Sequence, residues 1–378
     1  MNKLQQEQRR KWMLEGAVIL GVLVILVALM PLFLPAFRLR LLGRFLSLAV
    51  VALGVDLIWG YTGLLSLGHG IFFALGGYAI AMFLNLQLPP GQLPEFFTLY
   101  GVKSLPLLWQ PFHSLPITLL ALVIIPGLVA GLLGYLIFRN RIKGVYFSIL
   151  TQAALLVFYN FFNGQQKLIN GTNGLKTDTQ TIFGLLVSDP KVQFTIYEIT
   201  VLALLLIYLL CRWLTSGRFG RLLIAIRDDE TRVRFSGYDP TWFKVLVFSI
   251  SGAIAGVAGA LYTVQTGIIT PSSMEVAFSI EIVIWVAVGG RATLVGAIIG
   301  TLLVRLAQSF LSEQFPDVWL FFQGALFLTV VTVLPNGILG GLGQLMTALG
   351  WRPRLATYPA IEADPEIQQE RELLEHEQ

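Results

Sequence analysis

The sequence has few charged residues and few residues that bind metals or form disulfides. Of its 378 residues, 13% are charged and 55% are hydrophobic, whereas a soluble domain carries roughly a quarter charged residues. Its one cysteine, Cys211, excludes an intrachain disulfide, and its three widely spaced histidines argue against a metal site. So little charge cannot cover a soluble surface of this size, so we expect a polytopic membrane protein.

The sequence also lacks motifs that would place bond chemistry in this chain. It contains no phosphate-binding loop, nucleophile–base arrangement or metal-ligand set. The glycine-rich stretch 170–177 is not a phosphate loop, because Leu175 separates Gly174 from Lys176. We therefore expect a non-enzymatic chain without cofactors, and its net charge of +4 suits membrane-facing loops rather than nucleic acid.

Long apolar runs dominate the chain, and about 20 apolar residues suffice for a helix to cross a bilayer. The predicted segments are residues 16–35, 41–60, 65–86, 116–138, 144–162, 196–214, 242–265, 279–288, 294–311 and 318–339. Gly-Gly-Arg-Ala-Thr at 289–293 interrupts one apolar stretch, which is typical of discontinuous helices beside a polar cavity. The sequence therefore predicts an all-α fold of about ten membrane segments, some of them broken or half-length.

Basic residues favour the cytoplasmic side of a membrane. They precede the first segment and follow the fourth, at Lys3, Arg9, Arg10, Lys11, Arg139, Arg141 and Lys143. This predicts a cytoplasmic segment 1–15, a membrane domain 16–346 and an acidic cytoplasmic tail 347–378, with outer loops at 87–115 and 163–195. Three arginines, Arg38, Arg40 and Arg44, then lie outside, so either they extend to lipid headgroups or the first two segments are drawn wrongly.

One strongly charged loop, residues 216–244, separates two apolar runs. Its arginine content places it in the cytoplasm. Leu222, Leu223, Ala225 and Ile226 recur at roughly helical spacing. Two interpretations stand: a short amphipathic helical element presented to a partner, or a solvated connecting loop. We expect breakers at Gly220 and Gly237 and a second short helix capped by Asp228 or Asp229.

A few polar and ionisable residues lie within the apolar runs. Asp56, Ser66 and His69 belong to a glycine-rich stretch, and Glu281 lies near the start of a half-length segment. An ionisable residue inside a membrane is by default a functional candidate. Alternatively, Asp56 is a protonated or helix-to-helix hydrogen-bonded residue near the membrane edge. The small residues Gly252, Gly256 and Ala260 form a helix-packing ridge.

Several strings resemble one family, the branched-chain amino-acid type of ABC importer permeases. They are GRLLIAIRDDE at 220–230, SLGHG at 66–70 and GVYF at 144–147. The resemblance implies that the charged loop docks on an ATPase subunit through Arg221, Ile226, Arg227, Asp228, Asp229 and Glu230. It also implies a substrate pathway, for which the candidates are Asp56, Ser66, His69, Tyr146, Thr151, Gln152 and Glu281.

Three longer strings, DLIWGYTGLLSLGHG, RIKGVYFSILTQ and FPDVWLFFQGALFLTVVTVLPNGI, look most like urea-type permeases within that family. One departure is Ala292, where glycine is expected. The resemblance implies import of urea or a close small amide across the inner membrane by alternating access, with both termini cytoplasmic. The implied partners are a homologous second permease, two cytoplasmic ATPases, a periplasmic binding protein and membrane lipid. The alternatives are a branched-chain or other amino-acid permease, or an ion-coupled transporter or channel.

Overall fold

The computed structural model describes residues 21–89, 91–182 and 184–315, and isolated positions between 318 and 340. Thirteen α-helices are labelled here in chain order. They are α1 Gly21–Phe33, with a π-helical turn at Ile25–Leu29, α2 Ala36–Thr62, α3 His69–Asn85, α4 Glu95–Leu99, α5 Leu115–Arg139, α6 Val145–Gly164, α7 Gln166–Ile169, α8 Pro190–Ser216, α9 Arg218–Asp228, α10 Glu230–Phe235, α11 Pro240–Thr266, α12 Val276–Gly289 and α13 Leu294–Gln314.

Short 3-10 helices and two small antiparallel strand pairs complete the described part of the chain. The 3-10 helices are Leu107–His113, Gly171–Asn173 and Pro271–Met274. The strands are β1 Leu175–Lys176, paired with β4 Ile268–Ile269, and β2 Thr181–Ile182, paired with β3 Leu185–Leu186. The fold is therefore predominantly helical, as the sequence predicted.

Among the described residues, six helices are long and apolar enough to cross a membrane: α2, α5, α6, α8, α11 and α13. Three more apolar helices, α1, α3 and α12, are shorter. These nine coincide with the first nine predicted segments. The predicted tenth, 318–339, lies largely outside the described residues, so the count of about ten is not confirmed. The predicted segment 1–15 and tail 347–378 lie outside them entirely.

Helix α11 lies at the centre of the bundle and packs against α2, α3 and α5. The contacts are made through glycine, because backbones approach more closely where no side chain intervenes. A Cβ atom on Gly76 would overlap the backbone of Gly256, and one on Gly259 would overlap the carbonyl of Phe73. On another side of α11, a Cβ on Gly252 would press on Ala130. The predicted packing ridge is confirmed.

Arg40 and Arg44, the charges that seemed misplaced, lie at one end of the bundle and bind the C-terminus of α11. Their Nε atoms donate to the carbonyl of Gln265 at 2.6 and 3.1 Å, and Arg44 also reaches the carbonyl of Thr266 at 3.4 Å. The last carbonyls of a helix lack partners within the helix, and cations there also complement its dipole. These two arginines therefore complete a helix end, and the second segment begins earlier than predicted, because α2 starts at Ala36.

The two predicted outer loops pack together at that same end. The hydroxyl of Tyr100 donates to Gln166 Oε1 at 3.0 Å, and Trp109 Nε1 donates to the carbonyl of Leu168 at 3.0 Å. Strand β1 of the second loop pairs with β4, directly after α11. Helices α9 and α10 of the charged loop form the opposite end of the bundle, which we call the loop end.

We predict that the loop end is cytoplasmic. A cysteine at Ser236, which is exposed, should react with a membrane-impermeant maleimide only after the cells are opened. The single native cysteine, Cys211, is buried and provides the unlabelled background. Labelling of Ser236→Cys from outside intact cells would contradict this orientation.

Candidate functional site

A stretch of non-helical chain enters the bundle between α2 and α3. Helix α2 ends at Thr62, and Gly63 closes it with a left-handed φ of 72°, which glycine adopts without steric cost. Residues 64–68 are then non-helical before α3 begins at His69. Non-helical backbone at membrane depth is tolerated only where protein groups or water satisfy it.

Side-chain hydroxyls provide hydrogen-bond partners for the backbone of this stretch. Ser148 Oγ on α6 donates to the carbonyl of Leu65 at 2.6 Å, and Thr151 Oγ1 accepts from the amide of Leu67 at 3.1 Å. Ser66 Oγ accepts from the amide of Gly68 at 3.3 Å. The structure thus brings the predicted residues Ser66 and Thr151 together and engages their hydroxyls with backbone.

His69 connects three helices. It is 1% exposed, and its Nε2 lies 2.7 Å from Ser251 Oγ on α11. That hydroxyl donates to the carbonyl of Gly54 on α2 at 2.5 Å, so it is free only to accept from His69. The imidazole therefore fixes the start of α3 against α2 and α11.

Asp56 is fully buried and binds the turn between α12 and α13. Its Oδ1 accepts from the amide of Ala292 at 2.7 Å, while its Oδ2 has no partner among the described residues. Ala292 has a φ of 57°, a left-handed conformation that costs a residue with a Cβ about 1–2 kcal/mol. The family resemblance predicts glycine at position 292. Alanine is accommodated there in a turn that Asp56 holds in place.

Two aromatic residues on the last turns of α2 extend this contact. The hydroxyl of Tyr61 donates to the carbonyl of Ala292 at 3.4 Å. The guanidinium of Arg291 lies 5.2 Å from the ring centroid of Trp59, within range of a cation–π interaction. The end of α2 and the predicted break at 289–293 therefore form one junction.

Arg227, from the charged loop, reaches the same part of α2. Its Nη1 donates to the carbonyl of Gly60 at 2.9 Å, one of the carbonyls that the end of a helix leaves without a partner. A Cβ on Gly60 would lie 2.5 Å from the amide nitrogen of Ala292. One helical turn of α2 thus contacts the charged loop on one side and the α12–α13 turn on the other.

The charged loop forms two helices, α9 and α10, rather than a solvated linker. Leu223 and Ile226 are 0% and 4% exposed, because α9 packs against α2, α8 and α11 of its own chain. Leu223 and Ile226 therefore pack on the bundle of their own chain rather than on an external partner. Gly220 is not a breaker either, since it lies inside α9 and packs closely on the backbone of Thr215.

The acidic triplet at 228–230 divides into different structural roles. Asp229 caps α10 by accepting from the amides of Thr231 and Arg232 at 2.9 and 3.0 Å, and the amide of Arg232 contributes most to lowering the pKa of Asp229. Asp228 is exposed and lies 3.2 Å from Arg227 Nε. Of the two predicted capping residues, Asp229 is the cap.

Glu230 binds two cations of its own chain. It pairs with Arg234 at 2.9 Å and with Lys244 at 3.1 Å, and the Lys244 side chain is 1% exposed. Burial raises the pKa of Glu230, but the bonds from Arg234 and Lys244 outweigh burial and leave that pKa below its usual value. This pairing therefore stabilises α10 above the ordinary carboxyl pKa and is lost as the pH falls through the lowered one.

We predict that Asp229→Ala frays α10, because two helix-terminal amides lose their acceptor. Amide hydrogen exchange of residues 230–235 should become faster, while Asp229→Asn, which keeps a capping oxygen, should retain slow exchange. Asp228→Ala is the matched control, since Asp228 accepts no backbone amide in the described structure. Unchanged exchange in Asp229→Ala would show that packing alone holds α10.

The remaining predicted residues lie elsewhere. Glu281 on α12 pairs with Arg305 Nη1 at 3.3 Å, and no described contact joins Glu281 to Asp56. Tyr146 is 74% exposed and Gln152 half-buried, both on α6. Sequence reasoning missed Arg305, although an arginine inside the apolar run 294–311 was visible.

Comparison with known proteins places this arrangement in a family. The family model described as "Branched-chain amino acid transport system / permease component" matches residues 37–331. The chain belongs to this family. With six apolar helices of spanning length, it is a multi-pass membrane permease, as the sequence resemblance implied. No solved structure matches it.

Permease proteins named LivM and LivH resemble the chain. The high-affinity branched-chain amino acid permease protein LivM of Salmonella typhimurium is 26% identical over 314 residues, 77% of this chain and 67% of LivM. The probable LivM of Methanocaldococcus jannaschii is 24% identical over 319 residues, 77% of this chain and 89% of that protein. LivH of Escherichia coli is 26% identical over 314 residues, 77% of this chain and 91% of LivH. The narrower urea resemblance receives no support from these comparisons.

Proposed function

We propose that this chain is one permease subunit of an ATP-driven importer for branched-chain amino acids in the inner membrane. The proposal adopts the alternative substrate class from the sequence analysis, branched-chain amino acids, in place of urea. The family match over most of the chain carries the proposal, and the names of the LivM and LivH relatives support the substrate class. The partners are a homologous second permease, two cytoplasmic ATPases and a periplasmic binding protein.

The exposed face of α6 is the surface that we assign to the pathway. Of the six spanning helices, α6 has the smallest buried share. Ile149 and Val157 are 55% and 67% exposed on this face, and the half-buried Gln152 and Tyr159 follow one edge. An apolar face with a polar edge suits an amino acid with a hydrocarbon side chain better than it suits urea.

Non-helical chain lies against the buried side of α6, so this helix borders the part of the bundle where a pathway would run. Thr151 on its buried side binds the 64–68 stretch, and the helix also packs against the 3-10 helix Pro271–Met274. Such irregular backbone is confined to protein interiors and water-filled cavities. This geometry supports the proposal, with Tyr146 at the loop end of the face.

The surface that we assign to ATPase docking is the exposed side of α9 and α10. It carries Arg221 and Asp228, and beside them Phe235 and Tyr238, which are 89% and 55% exposed. Exposed aromatic and arginine side chains are typical anchors of protein interfaces. Of the six residues implied by the resemblance, Ile226 is buried, Arg227 and Asp229 bond to backbone groups, and Glu230 pairs with the buried Lys244. We therefore assign direct docking to the exposed Arg221 and Asp228.

The rival class, an ion-coupled transporter, needs intramembrane acids available to bind an ion. Asp56 Oδ1 accepts from a backbone amide at 2.7 Å, and Glu281 is paired with Arg305. Both acids thus have partners within this chain, which favours the ATP-driven class.

The substrate is tested by uptake in cells that carry the complete transporter with or without this chain. We expect uptake of labelled leucine, isoleucine and valine to depend on the chain, and uptake of labelled urea to be unaffected by it. Chain-dependent uptake of urea without that of leucine would overturn the assignment.

We predict that Asp228→Lys lowers solute-stimulated ATP hydrolysis by the purified complex, because it reverses a charge on the docking surface. Asp229 is left unchanged, since its loss would also disrupt α10. The matched control is Glu95→Lys, an exposed carboxylate at the opposite end. Wild-type stimulation and transport in Asp228→Lys would remove Asp228 from the interface.

A further inference from the structure

We infer that the last turns of α2 form a rigid connection through which the charged loop moves the α12–α13 turn, with Arg227 and Asp56 as its two positioning residues. The inference rests on the proposed function, in which partner ATPases move α9. It concerns a connection inside this chain, whatever solute is carried.

The first contact of this connection joins α9 to α2. Arg227 Nη1 donates to the carbonyl of Gly60 at 2.9 Å, and a Cβ on Gly63 would lie 3.0 Å from Arg227 Cγ. Leu223 and Ile226 anchor the same helix in the bundle. The charge-assisted bond is directional, and such bonds are stronger than neutral ones. A displacement of α9 therefore acts directly on the end of α2.

The second contact joins α2 to the turn at 290–293. Gly60 leaves no room between the two backbones, Asp56 accepts the amide of Ala292 at 2.7 Å, and Tyr61 donates to its carbonyl at 3.4 Å. Ala292 is thus held by both of its backbone groups. A turn with left-handed Ala292 has little freedom to relax separately, so it follows α2.

The turn at 290–293 connects two tightly packed helices, α12 and α13. A Cβ on Gly289 would overlap the backbone of Gly296, and one on Gly300 would overlap the carbonyl of Trp285. Glu281 and Arg305 bridge the same two helices farther along. Helices α12 and α13 therefore move as one pair, and α9 acts on this pair through the end of α2.

Two variants test the function of the connection. Arg227→Ala should leave insertion and basal ATP hydrolysis intact but lower the solute transported per ATP hydrolysed at least about fivefold, the lower range of coupling between sites. The control is Arg232→Ala on the same loop, whose side chain is 86% exposed, and it should match the wild type. Wild-type transport per ATP in Arg227→Ala would overturn the inference.

Spin-label distances test the connection without any transport. Labels at Thr231 on α10 and Val295 on α13, both exposed, should keep one separation in the assembled complex with and without ATP. In Arg227→Ala this separation should change on ATP binding. A separation that changes in the wild type, or that stays constant in Arg227→Ala, would contradict the inference. If leucine uptake fails but these distances behave as expected, only the substrate assignment is lost.

Discussion

Asp56→Leu should abolish solute uptake, whereas Asp56→Asn should retain most of it. Leucine leaves the partly buried amide of Ala292 without its acceptor, which costs up to about 1–3 kcal/mol, and frees a turn that already contains left-handed Ala292. Asparagine keeps an oxygen in the place of Oδ1. The difference between the two variants therefore separates a hydrogen-bonding role from a role of the carboxylate charge.

The measurement is ATP-dependent uptake of the transported solute by the purified complex, with assembly checked by size-exclusion chromatography. Loss of uptake in both variants would mean that the carboxylate itself is needed, as in ion coupling or direct solute binding. Full uptake in both would remove Asp56 from the cycle. Only loss of uptake in Asp56→Leu together with retained uptake in Asp56→Asn supports the positioning role.

Gly259→Leu should prevent the bundle from folding. A Cβ there would overlap the carbonyl of Phe73 on α3, and α11 and α3 cannot separate without opening the core. Overpacking costs typically about 1–3 kcal/mol when side chains can shift, and here the obstacle is backbone, so the loss should exceed that range.

Folding of this variant is measured by the yield of monodisperse protein and by its thermal unfolding in detergent. The control is Gly21→Leu, since a Cβ on Gly21 meets no atom within 4 Å. We expect the control to match the wild type and Gly259→Leu to give little folded protein. Equal unfolding temperatures for the two variants would show that α3 and α11 pack differently.

Local patterns predicted much of the fold. The segment boundaries follow from apolar length, and the ridge at Gly252 and Gly256 follows from the four-residue spacing of small residues on one helix face. Asp229 was one of two capping residues that the sequence offered for α10, because N-caps depend on neighbours a few positions away. Such features involve neighbouring residues and can be read from short stretches.

Contacts between distant residues could not be predicted in the same way. The sequence identified Asp56 but not its partner, because the amide of Ala292 lies 236 positions away. It also identified the apolar side of α9, but amphipathic spacing does not say whether a helix packs on its own chain or on another. Arg40 and Arg44 contradicted the distribution of basic residues expected for the outer side. A count of charges does not show that the carbonyls at a helix end need hydrogen-bond donors.

The substrate depended on a different kind of evidence. Three strings resembled urea-type permeases. Two of them lie around the end of α2 and the start of α6, where the structure shows packing and backbone hydrogen bonds, and the third, at 315–338, lies largely outside the described residues. Residues of this kind maintain the fold, which does not depend on the solute carried. The exposed face of α6 is free of such packing constraints, and a sequence alone does not show which residues form it.

The most direct test of the central proposal is uptake of labelled leucine by proteoliposomes that contain this chain with its partner permease, ATPases and leucine-loaded binding protein. We predict accumulation when ATP is present on the ATPase side, none with a non-hydrolysable analogue, and none from a proton or sodium gradient alone. Leucine accumulation driven by an ion gradient without ATP, or ATP-driven accumulation of urea in its place, would contradict the account.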